Sequence, residues 1–252
     1  MRRSAITHFV SIFMKTIALA LTLFILSAFS IQAQKATPTP SGPATNSARE
    51  LAFATLAAHG GAKLKEMKTL ILRGTSTISA FNQSIPGGFA MIFSGQKYRI
   101  ELENPFQPIK QIFDGKDTLT LMPNAFKLPP IDRTGFYVLG RIGDPTYPVT
   151  ALPETAKKKG FRMTSPDGRF TDFYVDEKTK QVKGYDSAFD FGTQAGTTSV
   201  EVDKYRTVDG VLAPEKFAQR FDLGQITAYC EFKAKDILVN TPIADEVFTM
   251  AK

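Results

Sequence analysis

The chain has 252 residues, with 31 Lys and Arg against 24 Asp and Glu, one cysteine and, outside the first 33 residues, one histidine. A lone cysteine excludes an intrachain disulfide, and one His with one Cys cannot supply the clustered ligands of a zinc or copper site. Three of the 31 bases lie in the first 33 residues, leaving 28 against 24 acids and a net charge of +4 rather than +7; charge this even excludes nucleic acid as a natural partner.

Residues 1–33 carry Arg2, Arg3 and Lys15 and no acid, then an apolar and small-residue run from Ile17 to Ile31, then Gln32-Ala33-Gln34. A basic start, a short apolar stretch and a small residue at the end read as a secretory signal cleaved after Ala33, and Met14-Lys15 restarts the pattern, so that Met14 reads as the start codon. The run is 15 residues, below the roughly 20 that span a bilayer. An uncleaved anchor, with Ile6–Met14 extending the run, is opposed by Lys15 in its middle. Arg2-Arg3 is not followed by the rest of a twin-arginine motif. Residues 34–46, with Pro38, Pro40 and Pro43 and no apolar anchor, read as an extended linker to a domain over 47–252.

Asn46-Ser47 predicts the cap of a helix over Ala48–His59, with Leu51, Thr55 and Leu56 as its buried stripe and Gly60-Gly61 as its end. Strands follow: Leu70–Ile78, Phe89–Phe93, and Tyr98–Leu102 with strict alternation of apolar and charged residues. Ile109–Phe113 and Thr118–Met122 form a hairpin across Asp114-Gly115-Lys116. Pro123–Pro153 breaks the strand pattern and predicts one short helix, Ile131–Ile142, with Phe136, Leu139 and Ile142 as its apolar positions. Strands resume at Gly160–Thr164, Arg169–Val175, Gln181–Phe191, Thr197–Tyr205, Lys216–Asp222 and Gln225–Ile237. In the last of these, Ile226 to Ala234 alternate onto one face and Thr227 to Lys235 onto the other. A final helical turn, Ala244–Phe248, sets Phe248 against the sheet. The expected fold class is α+β, a large curved antiparallel sheet with few helices.

His59 is the one available general base; at a helix end before glycine it reads as a structural residue, and no Gly-x-Ser-x-Gly elbow accompanies it. No calcium loop occurs. Glu101/Glu103 and Asp186/Asp190 alternate along strands and read as solvated pairs, a carboxylate-dependent hydrolase being the one enzymatic reading left open. Cys230 reads as a small buried hydrophobe, and Lys157-Lys158-Lys159 as a solvated strand entry. Four of the 21 phenylalanines leave with the signal, so the domain keeps 17 and has no tryptophan. Phe89, Met91 and Phe93 beside Tyr98, Ile100 and Leu102 offer bulky, adaptable apolar side chains on adjacent strands, with Phe113, Phe136 and Leu139 placed to close over them. The set reads either as an apolar groove for acyl chains or as plain core.

Two stretches carry a family resemblance. Ser94–Pro105 followed by Gln111–Pro123, a strand, a proline and an Asp-Gly-Lys hairpin ending at proline, resembles the periplasmic lipoprotein carrier LolA. Phe173-Tyr174-Val175-Asp176 with Thr179, Tyr205–Pro214, and Ala57–Gly61 are similar to the wider group of outer-membrane lipoprotein-sorting proteins. The resemblance spans Arg49–Thr249. It implies a half-barrel, a strongly bent antiparallel sheet around lid helices, with an apolar face that receives acyl chains. The nine residues named above would line the groove. It further implies a periplasmic, monomeric, cofactor-free and non-catalytic carrier whose partner is a lipid or an acylated protein. An envelope membrane protein bound by the same scaffold with its groove filled is the second reading. Where LolA has aromatic residues after its hairpin this chain has Leu119 and Leu121, and where that carrier has its functional arginine this chain has Phe93-Ser94-Gly95-Gln96.

Overall fold

The computed structural model describes residues 43–80, 83–103, 105, 108–121, 135–154, 156–191, 194–223 and 226–249. The predicted signal (1–33), most of the predicted linker and residues 131–134 of the predicted inserted helix lie outside them.

Helix α1 (Pro43–Ala58) begins five residues before the predicted start, because nothing in Pro43-Ala44-Thr45-Asn46 opposes a first helical turn and proline is well suited to one. Its buried line is Ala48, Ala52, Thr55, Leu56 and His59, spaced as one helical face. Leu51, predicted to lie in that stripe, is only half-buried at its flank. A short helix α2 (Ala62–Lys65) follows.

Twelve strands form one antiparallel sheet: β1 (Thr69–Ala80), β2 (Gln83–Ser94), β3 (Lys97–Glu103), β4 (Ile109–Phe113), β5 (Thr118–Leu121), β6 (Val149–Ala151), β7 (Gly160–Thr164), β8 (Phe170–Val175), β9 (Val182–Phe191), β10 (Gln194–Val208), β11 (Val211–Leu223) and β12 (Ile226–Val239). Their order is β5-β4-β3-β2-β1-β12-β11-β10-β9-β8-β7-β6, so the sheet is open and every neighbour pair but β1–β12 is consecutive in sequence. The two edges, β5 and β6, are therefore joined by a single connection, which carries the 3-10 helix η1 (Gly135–Arg141). A second 3-10 helix, η2 (Asp245–Phe248), ends the described chain.

Several strands are longer than predicted. Pro86 and Pro214, each outside the predicted strand bounds, both lie inside a ladder. Pro86 pairs with Thr77 of β1 before β3 begins its own pairing at Gly88, and Pro214 pairs with Tyr205 before β12 joins at Lys216. In each case one side of the strand needs no N–H donor, the condition under which a sheet accepts proline. The strand β6 was not predicted.

The inserted helix is a 3-10 helix, and its described part starts at Gly135. Phe136, Leu139 and Ile142 stand three apart, the spacing that keeps one face of a 3-10 turn aligned, and all three are buried. Gly135 holds φ +76° and presses on Tyr185, where a Cβ would come within 2.9 Å of the ring.

The sheet's two faces differ. On the inner face Leu70 and Leu72, Met91 and Phe93, Tyr98 and Ile100, Phe161, Phe173, Val200, Phe217 and Phe232 join α1, α2 and η1 in one continuous core. On the outer face Ile71, Ile92 and Ile112 are covered by Phe248, so the predicted docking of Phe248 occurs on the side away from the main core. In β12 the predicted alternation runs from Cys230 to Ala234. There a bulge opposite Arg73 and Gly74 inserts one residue, and Ile237 and Val239 rather than Asp236 and Leu238 face inward. Laid flat, six strand spacings would hold β2 and β8 about 29 Å apart. Yet the Gly135 N–H meets Thr171 of β8 at 3.0 Å and the Tyr137 ring lies 5.4 Å from that of Phe93 in β2, so the sheet curls around η1.

Candidate ligand-binding site

All nine sequence-predicted groove residues lie in the inner-face core. Phe89, Met91 and Phe93 from β2, Tyr98, Ile100 and Leu102 from β3, and Phe113 from β4 point the same way because each is separated from the next by an even step or a direct register pair. Phe136 and Leu139 meet them from η1. Their rings pack closely, Tyr98 on Phe113 at 5.6 Å and Phe89 on Phe232 at 5.0 Å. Only Met91, Phe93 and Phe136 of the nine reach the void beneath η1.

That void has a volume of about 60 Å³. Its other walls are Leu70 and Leu72 of β1, Tyr137 of η1, Tyr185 and Ser187 of β9, Thr198, Val200 and Val202 of β10, and Pro214, Phe217 and Gln219 of β11. These were not singled out from sequence. Their alternation marks inward-facing positions, but nothing local says that β9–β11 curl back to face β1 and β2. Among the described residues, no charged side chain lines the space.

Two side chains of the sheet hold the start of η1. The Gly135 N–H donates to Thr171 Oγ1, and the Phe136 N–H to the Tyr185 hydroxyl. A helix's first N–H groups have no partner within it, so these bonds act as its cap. Burial pushes the Tyr185 phenol up to about 12, partly offset by that N–H, so the hydroxyl stays protonated at neutral pH. Phe136 also meets His59 edge-on at 5.6 Å.

His59 is wholly buried and bonded on both sides. Nδ1 lies 3.2 Å from the Leu212 carbonyl, which can only accept, and Nε2 lies 3.0 Å from the Val182 N–H, which can only donate. The proton therefore sits on Nδ1 and the ring is neutral. Burial drives its pKa below the usual 6.5, opposed in part by the Leu212 bond. Both nitrogens are occupied by backbone, which leaves none to act as a base on a substrate.

No family model matches this sequence, and no curated protein matches it. Among solved structures, a DUF1329 family protein from Desulfovibrio piger has a TM-score of 0.49 at 8% identity, over 82% of this chain and 97% of that one. A LolA superfamily protein from Nitrosomonas europaea has a TM-score of 0.49 at 11% identity, over 79% and 97%. A domain named for outer membrane lipoprotein sorting, from Vibrio parahaemolyticus, has a TM-score of 0.42 at 9% identity, over 81% and 97%. The chemistry of the site rests on its own side chains.

The charged residues cluster on the outer face. Glu101 accepts from Arg99 and from Lys110, at 2.6 and 2.9 Å. Burial alone would raise its pKa, but the hydrogen bonds and charges of Lys110 and Arg99 prevail and hold it below the ordinary value. Glu103 is exposed. Asp186 accepts from the Tyr174 hydroxyl, and Asp172, its register partner, takes a bidentate bond from Arg162 at 2.6 and 2.7 Å. A depression of about 510 Å³ opens on this face beside Arg73, Glu103 and Val247. Lys157, Lys158 and Lys159 are exposed, Lys158 lying over the Tyr174 ring. Cys230 is buried on the inner face, where burial pushes its thiol up to about 12.

Proposed function

We propose that this protein is an exported cell-envelope binding protein that shelters apolar chains, the acyl chains of a lipid or an acylated protein, beneath η1 in a half-barrel, without catalysing a reaction. The observation that carries this reading is the uncharged void at the middle of the inner face, walled mainly by apolar side chains. Its roof, η1, is held at its start by two hydrogen bonds. At about 60 Å³ the space falls below the roughly 300–1,000 Å³ of ordinary ligand sites. Entry of a chain therefore requires η1 to move, and the chain replaces Phe136, Val138 and Leu139 against the sheet. The basic and apolar leader over residues 1–33 supports export to the envelope.

The same small volume favours a second reading, an interaction domain whose groove is filled by its own side chains. Native mass spectrometry of protein purified from the envelope, with titration of the neutral fluorophore N-phenyl-1-naphthylamine, separates the two. Co-purified lipid or acylated peptide and saturable fluorescence enhancement are expected. Their joint absence sinks the carrier reading and leaves the interaction domain.

A further inference from the structure

The void's two sides differ chemically, and the difference says what the ligand carries at its head; the argument rests on the binding function just proposed. Towards β1 and β2 the wall is Leu70, Leu72, Met91 and Phe93. Towards β9–β11 it includes Ser187, Thr198 and Gln219, which are 1, 4 and 8% exposed. Ser187 and Thr198 are register partners, and Gln219 lies one step along on β11 beside Val200. Gln219 Nε2 donates to Thr198 Oγ1 at 2.9 Å, and Thr198 Oγ1 donates to the Arg220 carbonyl at 3.0 Å. Gln219 makes no other hydrogen bond among the described residues. Neither its Oε1 nor its second N–H has a partner among the described residues, on a side chain 8% exposed at the wall of the void. Such groups are rarely left without a partner.

The partner must be uncharged. Among the described residues no cation or anion lines the space to compensate a buried carboxylate, phosphate or ammonium, and taking a charge out of water unpaired costs far more than one neutral hydrogen bond returns. An ester or amide carbonyl fits: it accepts the free Gln219 N–H and carries no charge. We infer that the ligand is a neutral acyl ester or amide, its chain against Leu70, Leu72, Met91 and Phe93 and its carbonyl at Gln219, with any charged headgroup left outside. The rival occupant is water, since about 60 Å³ holds roughly two molecules at ~30 Å³ each.

The test compares cis-parinaric acid with its methyl ester, two fluorescent probes of one chain, at pH 8 on the mature protein. The ester is expected to bind at least about tenfold tighter. Gln219→Leu is expected to weaken the ester about fivefold and leave the acid unchanged, reducing the ratio by the same factor. Gln219→Met carries the same expectation should the first variant not fold. Acid binding as tightly as ester overturns the inference and leaves the binding function standing; neither probe binding overturns the function itself. An ester preference untouched by both variants means that Gln219 only holds water, which also overturns the assignment. Competition against the bound ester by dioleoylglycerol or by a synthetic diacylated lipopeptide separates a lipid source from a lipoprotein one. Displacement by oleate and by neither of these refutes a neutral ligand.

Discussion

Lowering the pH from 7.5 to 5.5 is expected to destabilise this fold through one side chain, His59. Its ring is neutral because Nε2 accepts the Val182 N–H while Nδ1–H donates to Leu212. Protonating Nε2 would set two donors against each other in a fully buried site. The unfolded chain meets no such obstacle and titrates near 6.5. The folded pKa is depressed, so the full stability is present above the unfolded value and is lost as pH falls below it, where the unfolded state binds the extra proton. One unit below 6.5 the loss amounts to up to about 1.4 kcal/mol. The domain has no other histidine, and the depressed carboxylates Glu101, Asp114, Asp144, Asp176 and Glu215 lose their contributions only at lower pH. The measurement is the urea midpoint of wild type and His59→Gln at pH 7.5, 6.5 and 5.5. Wild type should lose stability across this range and the variant should not. His59→Ala, which orphans two buried backbone groups and opens a cavity beside Phe136 and Tyr205, should cost upward of about 3 kcal/mol at pH 7.5. Equal slopes in wild type and His59→Gln would refute the reasoning.

Four further outcomes follow from the packing. Phe248→Ala should cost about 3–4 kcal/mol in chemical denaturation, because the ring is 1% exposed on Ile71, Ile92 and Ile112. It should leave uptake of the neutral probe unchanged, since this cluster lies on the outer face; reduced uptake in a folded Phe248→Ala protein would contradict the two-faced assignment. Gly160→Ala should abolish or gravely weaken folding, because its Cβ would fall 1.8 Å from the Phe173 carbonyl. Gly95→Asn should be nearly neutral by thermal melting, because that turn at φ +58° has open space and asparagine tolerates the left-handed region. Cys230 should react with Ellman's reagent only after denaturation, given its burial and a thiol pushed up to about 12; prompt native reaction would show the inner face open to solvent.

Much of the architecture is legible locally. Alternation in Tyr98–Leu102 assigns the inner face without reference to any neighbour, and Asp114 turns its hairpin by accepting the Lys116 and Asp117 N–H groups, both at 2.8 Å. The three-residue spacing of Phe136, Leu139 and Ile142 marks a buried side of the insert, although it does not separate an α-helix from the 3-10 helix observed. Pro86 and Pro214 lie beyond the predicted ends of their strands and are tolerated there because one flank is unpaired, a property of strand order and not of the segment.

The sequence by itself determined that this is an antiparallel-sheet protein, with one apolar face to each strand and an insert carrying its own apolar stripe. It did so because side-chain periodicity and turn chemistry act over a few residues. Only the tertiary structure decided which of those apolar residues are plain core and which border the void. Tyr98, Ile100 and Phe113 share the alternation of Met91 and Phe93, yet only the latter two look onto it. The distinction depends on the curl that brings β9–β11 across to face β1 and β2, and on η1 descending between them. The same curl sets Gln219 of β11, an unremarkable polar residue within a strand, against apolar side chains of β1 and β2, ten and nine strands earlier in sequence. That juxtaposition arises from contacts spanning nearly the whole domain, which no local pattern encodes.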